Sequence, residues 1–469
     1  MQKNLNYFMC FLLLLASPVW GAEAHGPELS DKAPGLQTQA VPARPAPLLE
    51  LGGPFLGTGP IQKGIHLPTG AVWQPSFLMF GNLRTAAQSF YNGSDYVSEW
   101  ANRLDLYGNL YLTPTERFLV GIRLLDKEGQ FSGYTWHAPP SVRPEGKSGF
   151  DEYHDFTLTT AFFEGDLGEL FPFLDKYDAR GLDIGLAIGR QPLKFQDGLL
   201  IDDTVDAIGV SKINLKPPGM SNLRSSFVWG AADINRTNLT KADSNATLYG
   251  LFNELDFRAT TLEIDTIYVQ SDATHGKGMY AGIGAIQRIG PTNTTLRLLS
   301  SSSIKEETTN NSDGLLLFGE FSWNPNNSKN NLYLTGFRGF DRFRSASRDP
   351  LAGGPLARAG ILFESVGLGR FPAALDNTAD NAFGGALGYQ MFFNDTRQQL
   401  TLEMGGRYAT NETDQRAIGA GTRFETAIGR RGVVRIDGFA LYNATRDAAV
   451  FRPDNQFRLG GRVEFSLQF

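Results

Sequence analysis

The sequence contains almost no cysteine. Its one cysteine, Cys10, lies in residues 1–24, which have the features of a secretory signal peptide: an early lysine, an apolar core and the cleavage motif Ala22-Glu-Ala24. Because a signal peptide is removed on export, we expect the exported chain to have no disulfide bond and no thiolate chemistry. Cysteine proteases and zinc–thiolate sites are therefore excluded.

Long apolar runs are missing as well. Beyond the signal peptide there is no run of about 18 apolar residues, so no transmembrane helix is predicted. The five histidines are scattered and no Gly-x-Ser-x-Gly motif is present, so we predict no catalytic site, no metal site and no cofactor. The formal net charge of −6 is small for 469 residues and does not indicate a nucleic-acid partner.

Residues 25–74 lack apolar periodicity. They contain eight prolines and several glycines, a composition that prevents a packed core from forming. We predict a flexible periplasmic extension over 25–74. No long polar linker divides 75–469, so we predict one large β domain there.

Glycine and aromatic residues are abundant, with 53 Gly, 34 Phe and 15 Tyr. The clearest pattern is in 457–469, where odd positions are apolar or small and even positions are polar. A period of two is typical of a strand with one apolar and one polar face. A chain that ends on such a strand, with the aromatic Phe469, is typical of a β-barrel whose outer face meets lipid.

The same alternation recurs upstream, with short and long connections in turn. Tight turns such as 394–397 and 429–432 alternate with longer polar segments such as 410–416 and 444–456, as periplasmic turns alternate with extracellular loops. The pattern predicts an all-β fold, a transmembrane antiparallel β-barrel of about 18 strands over 75–469. The predicted strands are 75–86, 102–112, 116–126, 152–164, 181–190, 207–215, 222–234, 245–257, 260–271, 278–289, 293–303, 314–324, 330–340, 381–393, 400–408, 418–428, 434–442 and 457–469.

The polar face of each strand is expected to meet water, because side chains cannot fill a barrel this wide. By parity this face holds ten arginines and ten acidic residues. We favour cross-strand pairing that stiffens the wall as the role of most of these charges, and a selectivity filter is the alternative. The candidates for lining the pore are Arg407, Arg423, Arg435, Arg462, Glu403, Glu425, Tyr107 and Tyr111.

A motif in the first half of the chain resembles a known family. Gly189-Arg-Gln-Pro-Leu-Lys-Phe-Gln-Asp-Gly198, followed by Leu199-Leu-Ile-Asp-Asp203, is similar to the Gly-Arg-Gln … Asp-Gly … Leu-Ile pattern of the alginate-export porins. The resemblance implies an 18-stranded barrel that passes anionic polyuronates through an arginine-lined constriction, with Arg190 as a candidate. Leu199 stands where that family usually has a basic residue. For Arg190, an ion pair with a carboxylate at the barrel rim is the alternative.

The segment 341–380 is predicted to be one long extracellular loop with surplus arginine. If it folds into the lumen, its guanidinium groups would form a constriction that holds carboxylates or sugar hydroxyls. If it stays outside, it is a surface loop whose arginines can face lipopolysaccharide phosphates. The candidate residues are Arg342, Arg344, Arg348 and Arg358.

These observations predict a passive, porin-like channel for small hydrophilic solutes, with carbohydrates or sugar acids as candidates. An outer-membrane barrel with a structural, adhesion or assembly role is the alternative, and a lipid-modifying barrel enzyme is less favoured. The predicted location is the outer membrane of a Gram-negative bacterium. Expected partners are outer-membrane lipid, lipopolysaccharide, the solute, and the barrel-assembly machinery through the strand that ends in Phe469.

Overall fold

The computed structural model describes thirteen parts of the chain: 45–52, 64–91, 96–127, 129–138, 147–174, 181–236, 241–272, 274–304, 308, 310–325, 328–410, 415–443 and 457–469. The predicted signal peptide, most of the predicted extension and the predicted loop 444–456 lie outside these residues.

Eighteen antiparallel strands form a closed barrel. Strands that follow one another in the sequence are paired, and the last strand pairs with the first, with Val463 opposite Ala87. The predicted fold is confirmed, and every predicted strand overlaps an observed one. The strands are β1 (Ser76–Tyr91), β2 (Tyr96–Tyr111), β3 (Arg117–Arg123), β4 (Thr157–Asp166), β5 (Ile184–Phe195), β6 (Ile201–Leu215), β7 (Asn222–Ala231), β8 (Thr247–Asp256), β9 (Thr260–Gln270), β10 (Lys277–Ile289), β11 (Thr292–Ile304), β12 (Gly314–Trp323), β13 (Asn331–Phe343), β14 (Ala382–Phe393), β15 (Gln398–Ala409), β16 (Arg416–Ile428), β17 (Gly432–Asn443) and β18 (Phe457–Gln468).

The outer and inner faces of the barrel alternate along each strand. In β18, Phe457, Leu459 and Val463 are exposed on the outside, whereas Arg462 and Glu464 are buried on the inside. Closure pairs the backbone polar groups of neighbouring strands, so the outer surface can be apolar and lie in lipid. The polarity of the last strand predicted this arrangement.

The predicted strands leave 87–101 and 191–206 as extracellular loops, and both connections are shorter than expected. The segment 87–101 is mostly strand, because β1 and β2 remain paired up to Tyr91 opposite Tyr96. The segment 191–206 belongs to a hairpin in which Phe195 still pairs with Ile201. The prediction of a long loop there was wrong, because this hairpin buries apolar residues inside the barrel and so lacks the lipid-facing pattern of the other strands.

The described part of the predicted extension contains three short strands. Leu49–Gly52 pairs with the beginning of β1, and Ile65–His66 pairs with Val72–Trp73. The flexibility of the extension stays a prediction. After β4 comes a four-residue helix, Leu167–Leu170. No helix among the described residues is long and apolar enough to cross a membrane.

Candidate functional site in the barrel lumen

The long segment between β13 and β14 lies inside the barrel. On one side Arg358 is 3.4 Å from Glu320 of β12. On the other side Arg370 is 2.5 Å from Glu99 of β2. Seven strands, β13 to β18 and β1, lie between β12 and β2 on the shorter way around the barrel, so the segment crosses the lumen. Of the two alternatives for this loop, the structure supports the inward one.

A buried carboxylate on β15 holds the middle of this segment. Glu403 accepts hydrogen bonds from the backbone N–H groups of Ile361 and Leu362, each at 2.9 Å. The Tyr333 hydroxyl donates to the same carboxylate. Hydrogen bonds to a charged group contribute about 1.5–3 kcal/mol each. The Glu403 side chain therefore fixes the position of the loop against the wall.

The tip of the β5–β6 hairpin also enters the lumen. Gln196, Asp197 and Gly198 have φ angles of 52°, 55° and 83°, a left-handed conformation that costs about 1–2 kcal/mol for each residue other than glycine. Arg297 of β11 offsets this strain by donating hydrogen bonds to Gln196 and Asp197, both at 2.6 Å. Gln196 donates in turn to Asp265 of β9 at 2.7 Å. Such strain persists only where neighbouring groups fix the backbone.

The loop and the hairpin tip form one body. Ala346 donates its N–H to the Leu200 carbonyl at 2.9 Å, and Ser345 donates to the Leu199 carbonyl at 2.7 Å. Arg348 donates to the Gly198 carbonyl, and burial lowers the pKa of Arg348 to about 10, so the side chain is charged at neutral pH. We call residues 196–203 and 344–378 together the inner partition.

Six arginines line the lumen on neighbouring strands, and we call this surface the arginine wall. They are Arg423 of β16, Arg435 of β17, Arg462 of β18, Arg84 of β1, Arg103 of β2 and Arg123 of β3. Each pairs with a carboxylate.

In several pairs on the arginine wall the cation is the partner that reaches solvent. The Arg84 side chain is 16% exposed, against 5% for Glu464, at a distance of 2.5 Å. The side chain of Arg103 is likewise more exposed than that of Asp105, and the side chain of Arg435 is more exposed than that of Glu425. Arg423 and Arg462 are the exceptions, because their partners Glu364 and Asp437 are more exposed than they are. On this side the lumen water therefore meets arginine side chains at Arg84, Arg103 and Arg435.

The opposite side has the reverse arrangement, and we call Asp197, Glu263 and Glu320 the acidic wall. Its central cation, Arg297, is 0% exposed, whereas the paired Asp197 is 30% exposed. Glu263 also pairs with Arg297 and is more exposed than it. The exceptions are Arg358 of the inner partition, which is half-exposed between Asp197 and Glu320, and Arg224 of β7, which is more exposed than its partner Glu254.

Two predicted pore-lining residues lie outside the lumen. Arg190 pairs with Asp206 at 3.1 Å and shares the strand face of Ile188, which is exposed on the outer surface. Arg342 is exposed and shares the face of Leu334, another outward residue. The correction follows from the two-residue period of the strands. Arg190 forms the rim ion pair that was the alternative at that position.

The other predicted candidates face the interior. Arg344 pairs with Asp380, and Arg407 pairs with Asp376 at 3.1 Å, so both fasten the end of the inner partition. Arg423, Arg435, Arg462 and Glu425 belong to the network of the arginine wall. Whether these residues act on a solute stays a prediction.

Aromatic side chains mark the opposite end of the lumen from the long loop. Tyr107 stacks on Phe80 with ring centroids 5.3 Å apart. Tyr111 interacts with Arg117 of β3. Sequence reasoning missed Phe80 and Arg84 of β1, although both lie in phase with the polar residue Gln88, which gives the inner face of that strand.

Cavities lie beside both parts of the inner partition. One, of about 290 Å³, is lined by Phe90, Arg370, Phe439 and Arg458. The other, of about 250 Å³, lies under the hairpin tip, and its lining includes the carboxylates of Glu254 and Glu263 together with Lys194 and Arg224. Within the described parts of the chain, no group of three or more His, Cys, Asp or Glu side chains could hold a metal ion.

Comparisons with known proteins identify the fold. No protein-family model matches the chain, and no curated protein matches it in sequence. Among solved structures, Pseudomonas aeruginosa OccK9 (OpdG) matches with a TM-score of 0.55 at 12% identity, over 84% of this chain and 98% of that one. P. aeruginosa OpdK with vanillate matches with a TM-score of 0.53 at 14% identity, over 83% and 98%.

A third structure, P. aeruginosa OccK11 (OpdR), matches with a TM-score of 0.52 at 12% identity, over 84% of this chain and 96% of that one. This chain has their fold. OpdK is described as an outer-membrane protein. The resemblance to the alginate-export porins stays a prediction.

Proposed function

We propose that the chain is a passive channel for small hydrophilic solutes in the outer membrane of a Gram-negative bacterium. The observation that carries this proposal is the inner partition, which crosses the lumen of an 18-stranded barrel and leaves charged side chains of the wall, such as Arg84, partly exposed. Side chains alone cannot fill a barrel of this size, so the lumen holds water. A constriction built from two charged segments selects solutes by size and charge.

The exposed guanidinium groups of the arginine wall favour anionic solutes. Guanidinium binds carboxylates through two parallel hydrogen bonds. OpdK, which shares the fold, was solved with vanillate, a small carboxylate. The acidic wall offers acceptors for hydroxyl groups, so a solute with one carboxylate and several hydroxyls, such as a sugar acid, can contact both walls. Small carboxylates are therefore the class we favour.

Export of a long polyuronate, which the motif at 189–203 suggested, has less support. Arg190 of that motif pairs with Asp206 on the outer face of the barrel. Arg348 and Arg407 are engaged in holding the inner partition in place. To pass, a stiff polyanion would have to displace the inner partition or break the contacts in which Arg348 and Arg407 are engaged.

Planar-bilayer recording tests the proposal. We expect steps of stable conductance and, in a salt gradient, a reversal potential that shows preference for anions at low ionic strength. Liposome swelling should be faster with glucuronate than with glucosamine, a cation of similar size. A folded barrel, shown by heat-modifiable migration in gels, that gives neither conductance nor swelling would favour a structural or adhesion role.

A further inference from the structure

Basic and aromatic side chains form a row on the outer surface, at the end of the barrel that carries the long loop. The outward residues Arg338, Phe383, Tyr408 and Arg416 are direct neighbours across β13 to β16. The Arg338 guanidinium lies 5.3 Å from the centre of the Phe383 ring, and the Arg416 guanidinium lies 4.7 Å from that of Tyr408. Stacking on a ring holds a guanidinium in a defined position while its edge can still donate hydrogen bonds. We call these four residues the rim row.

An apolar groove of about 1100 Å³ lies on the same outer face, below the rim row. Its floor consists of small residues on β16 to β18, among them Ala420, Gly438 and Ala440. Leu402 and Met404 form one side, and Phe457 and Leu459 form the other. Because Arg416 and Ala420 are four residues apart on one strand, the charges lie about 13 Å above the floor of the groove.

We propose that the rim row and the groove bind one phosphorylated, multiply acylated glycolipid, the lipid part of lipopolysaccharide. The proposal rests on the proposed outer-membrane location. Charge complementarity supports it, because phosphates at the headgroup level meet arginines there, and acyl chains below meet the groove. Arg338 and Arg416 are separated by three strand spacings, about 14 Å, which suits a disaccharide with a phosphate at each end.

A second copy of the chain is a poorer occupant of this face. Oligomers in a membrane are related by an axis along the membrane normal, so the rim rows of two copies would meet at the same height. Arg338 and Arg416 of the copies would then oppose like charges, which is unfavourable. A glycolipid supplies opposite charges at the same position.

Binding of defined lipopolysaccharide to the purified barrel tests the proposal, with native mass spectrometry as the readout. The double variant Arg338→Ala with Arg416→Ala should bind about 100-fold more weakly, because each charge-assisted phosphate contact is worth about tenfold. The matched control, Arg430→Ala with Arg431→Ala in the turn at the opposite end, should bind as the unchanged protein does. Ala440→Phe, which fills the groove and leaves the arginines intact, should also weaken binding.

Three competitors distinguish the source of the phosphate. We expect lipopolysaccharide to bind more tightly than dephosphorylated lipopolysaccharide and than phosphatidylglycerol, and inorganic phosphate to compete only weakly. Equal binding of phosphatidylglycerol, or full binding by the double variant, would overturn the proposal.

Measurements on the same preparations separate this proposal from the channel function. The variants should keep heat-modifiable migration and conductance, and Arg338→Lys with Arg416→Lys should recover part of the affinity. A barrel that binds lipopolysaccharide but does not conduct contradicts the channel and leaves this site intact. A barrel that conducts but does not bind lipopolysaccharide contradicts the site alone.

Discussion

The arginine wall and the acidic wall contain the same kinds of ion pair but expose different partners to the lumen. On the arginine wall Arg84 is more exposed than its carboxylate, whereas on the acidic wall Arg297 is fully buried beneath Asp197 and Glu263. A charge close to water acts on a passing solute, and a buried charge acts mainly on its own partners. We therefore expect exposure, and not the count of charges, to set the field across this lumen.

The largest effect is expected at the centre of the acidic wall. Arg297→Met removes the buried cation between Asp197 and Glu263 and leaves the strained turn at Gln196 without support, so the free energy of unfolding should fall by about 3–5 kcal/mol. Urea unfolding in lipid vesicles measures this change. Arg224→Met is the matched control, because Arg224 pairs with Glu254 but is half-exposed, so its loss should cost less than about 1 kcal/mol. Equal losses would show that burial does not distinguish the two sites.

The next effect concerns the partition that separates the walls. Glu403→Ala removes two hydrogen bonds donated by the backbone of 361–362. The free energy that holds the middle of the loop against the wall should fall by about 1.5–3 kcal/mol per bond. Conductance should rise and its fluctuations should increase, which single-channel recording detects. Glu425→Ala is the control, because Glu425 pairs with Arg435 and accepts a hydrogen bond from Gln399, both on the wall. A Glu403→Ala channel with unchanged conductance would contradict the anchoring role.

A third test compares the walls directly by reversal potential. Arg84→Ala with Arg103→Ala should lower the anion-to-cation permeability ratio, and Asp197→Ala with Glu320→Ala should raise it. A charge about 6 Å from the path interacts by about 0.7 kcal/mol in water, a factor of about three per residue. Both shifts should shrink in concentrated salt, because the screening length is about 3 Å at 1 M. Shifts in the same direction would refute a field between the walls.

Sequence reasoning predicted the barrel because lipid and water impose a strict period of two. Each strand from β1 to β18 was located by that pattern, and the charged inner faces of β15 to β18 followed from it. Equal numbers of inward arginines and acids predicted a wall close to neutral. The structure adds Arg84 to the inward arginines and separates the charges by exposure, which cannot be read from the pattern along one strand.

Contacts between distant segments could not be predicted from the sequence. Leu199 and Leu200 are buried against the long loop, and no local signal shows that two residues in a polar connection will pack about 145 positions away. Tyr333 and Glu403 meet because β13 and β15 flank β14, a relation visible only once the register is known. The family resemblance placed Arg190 among the pore candidates, and the surplus of arginine in 341–380 placed Arg342 there, although the strand phase puts both on the outer side.

The smallest effect is expected at Arg342. This residue is compared with Arg358, another arginine of the same predicted loop. Arg342→Ala should leave the permeability ratio unchanged, because this side chain lies on the outer face, away from the solute path. Arg358→Ala should lower the anion-to-cation ratio by about threefold, because Arg358 is half-exposed in the lumen, 3.6 Å from Asp197 and 3.4 Å from Glu320. The two substitutions remove the same charge, so reversal potentials recorded in dilute salt isolate the effect of position. If Arg342→Ala changed the ratio as much as Arg358→Ala, the assignment of inner and outer faces at the end of β13 would have to be reversed.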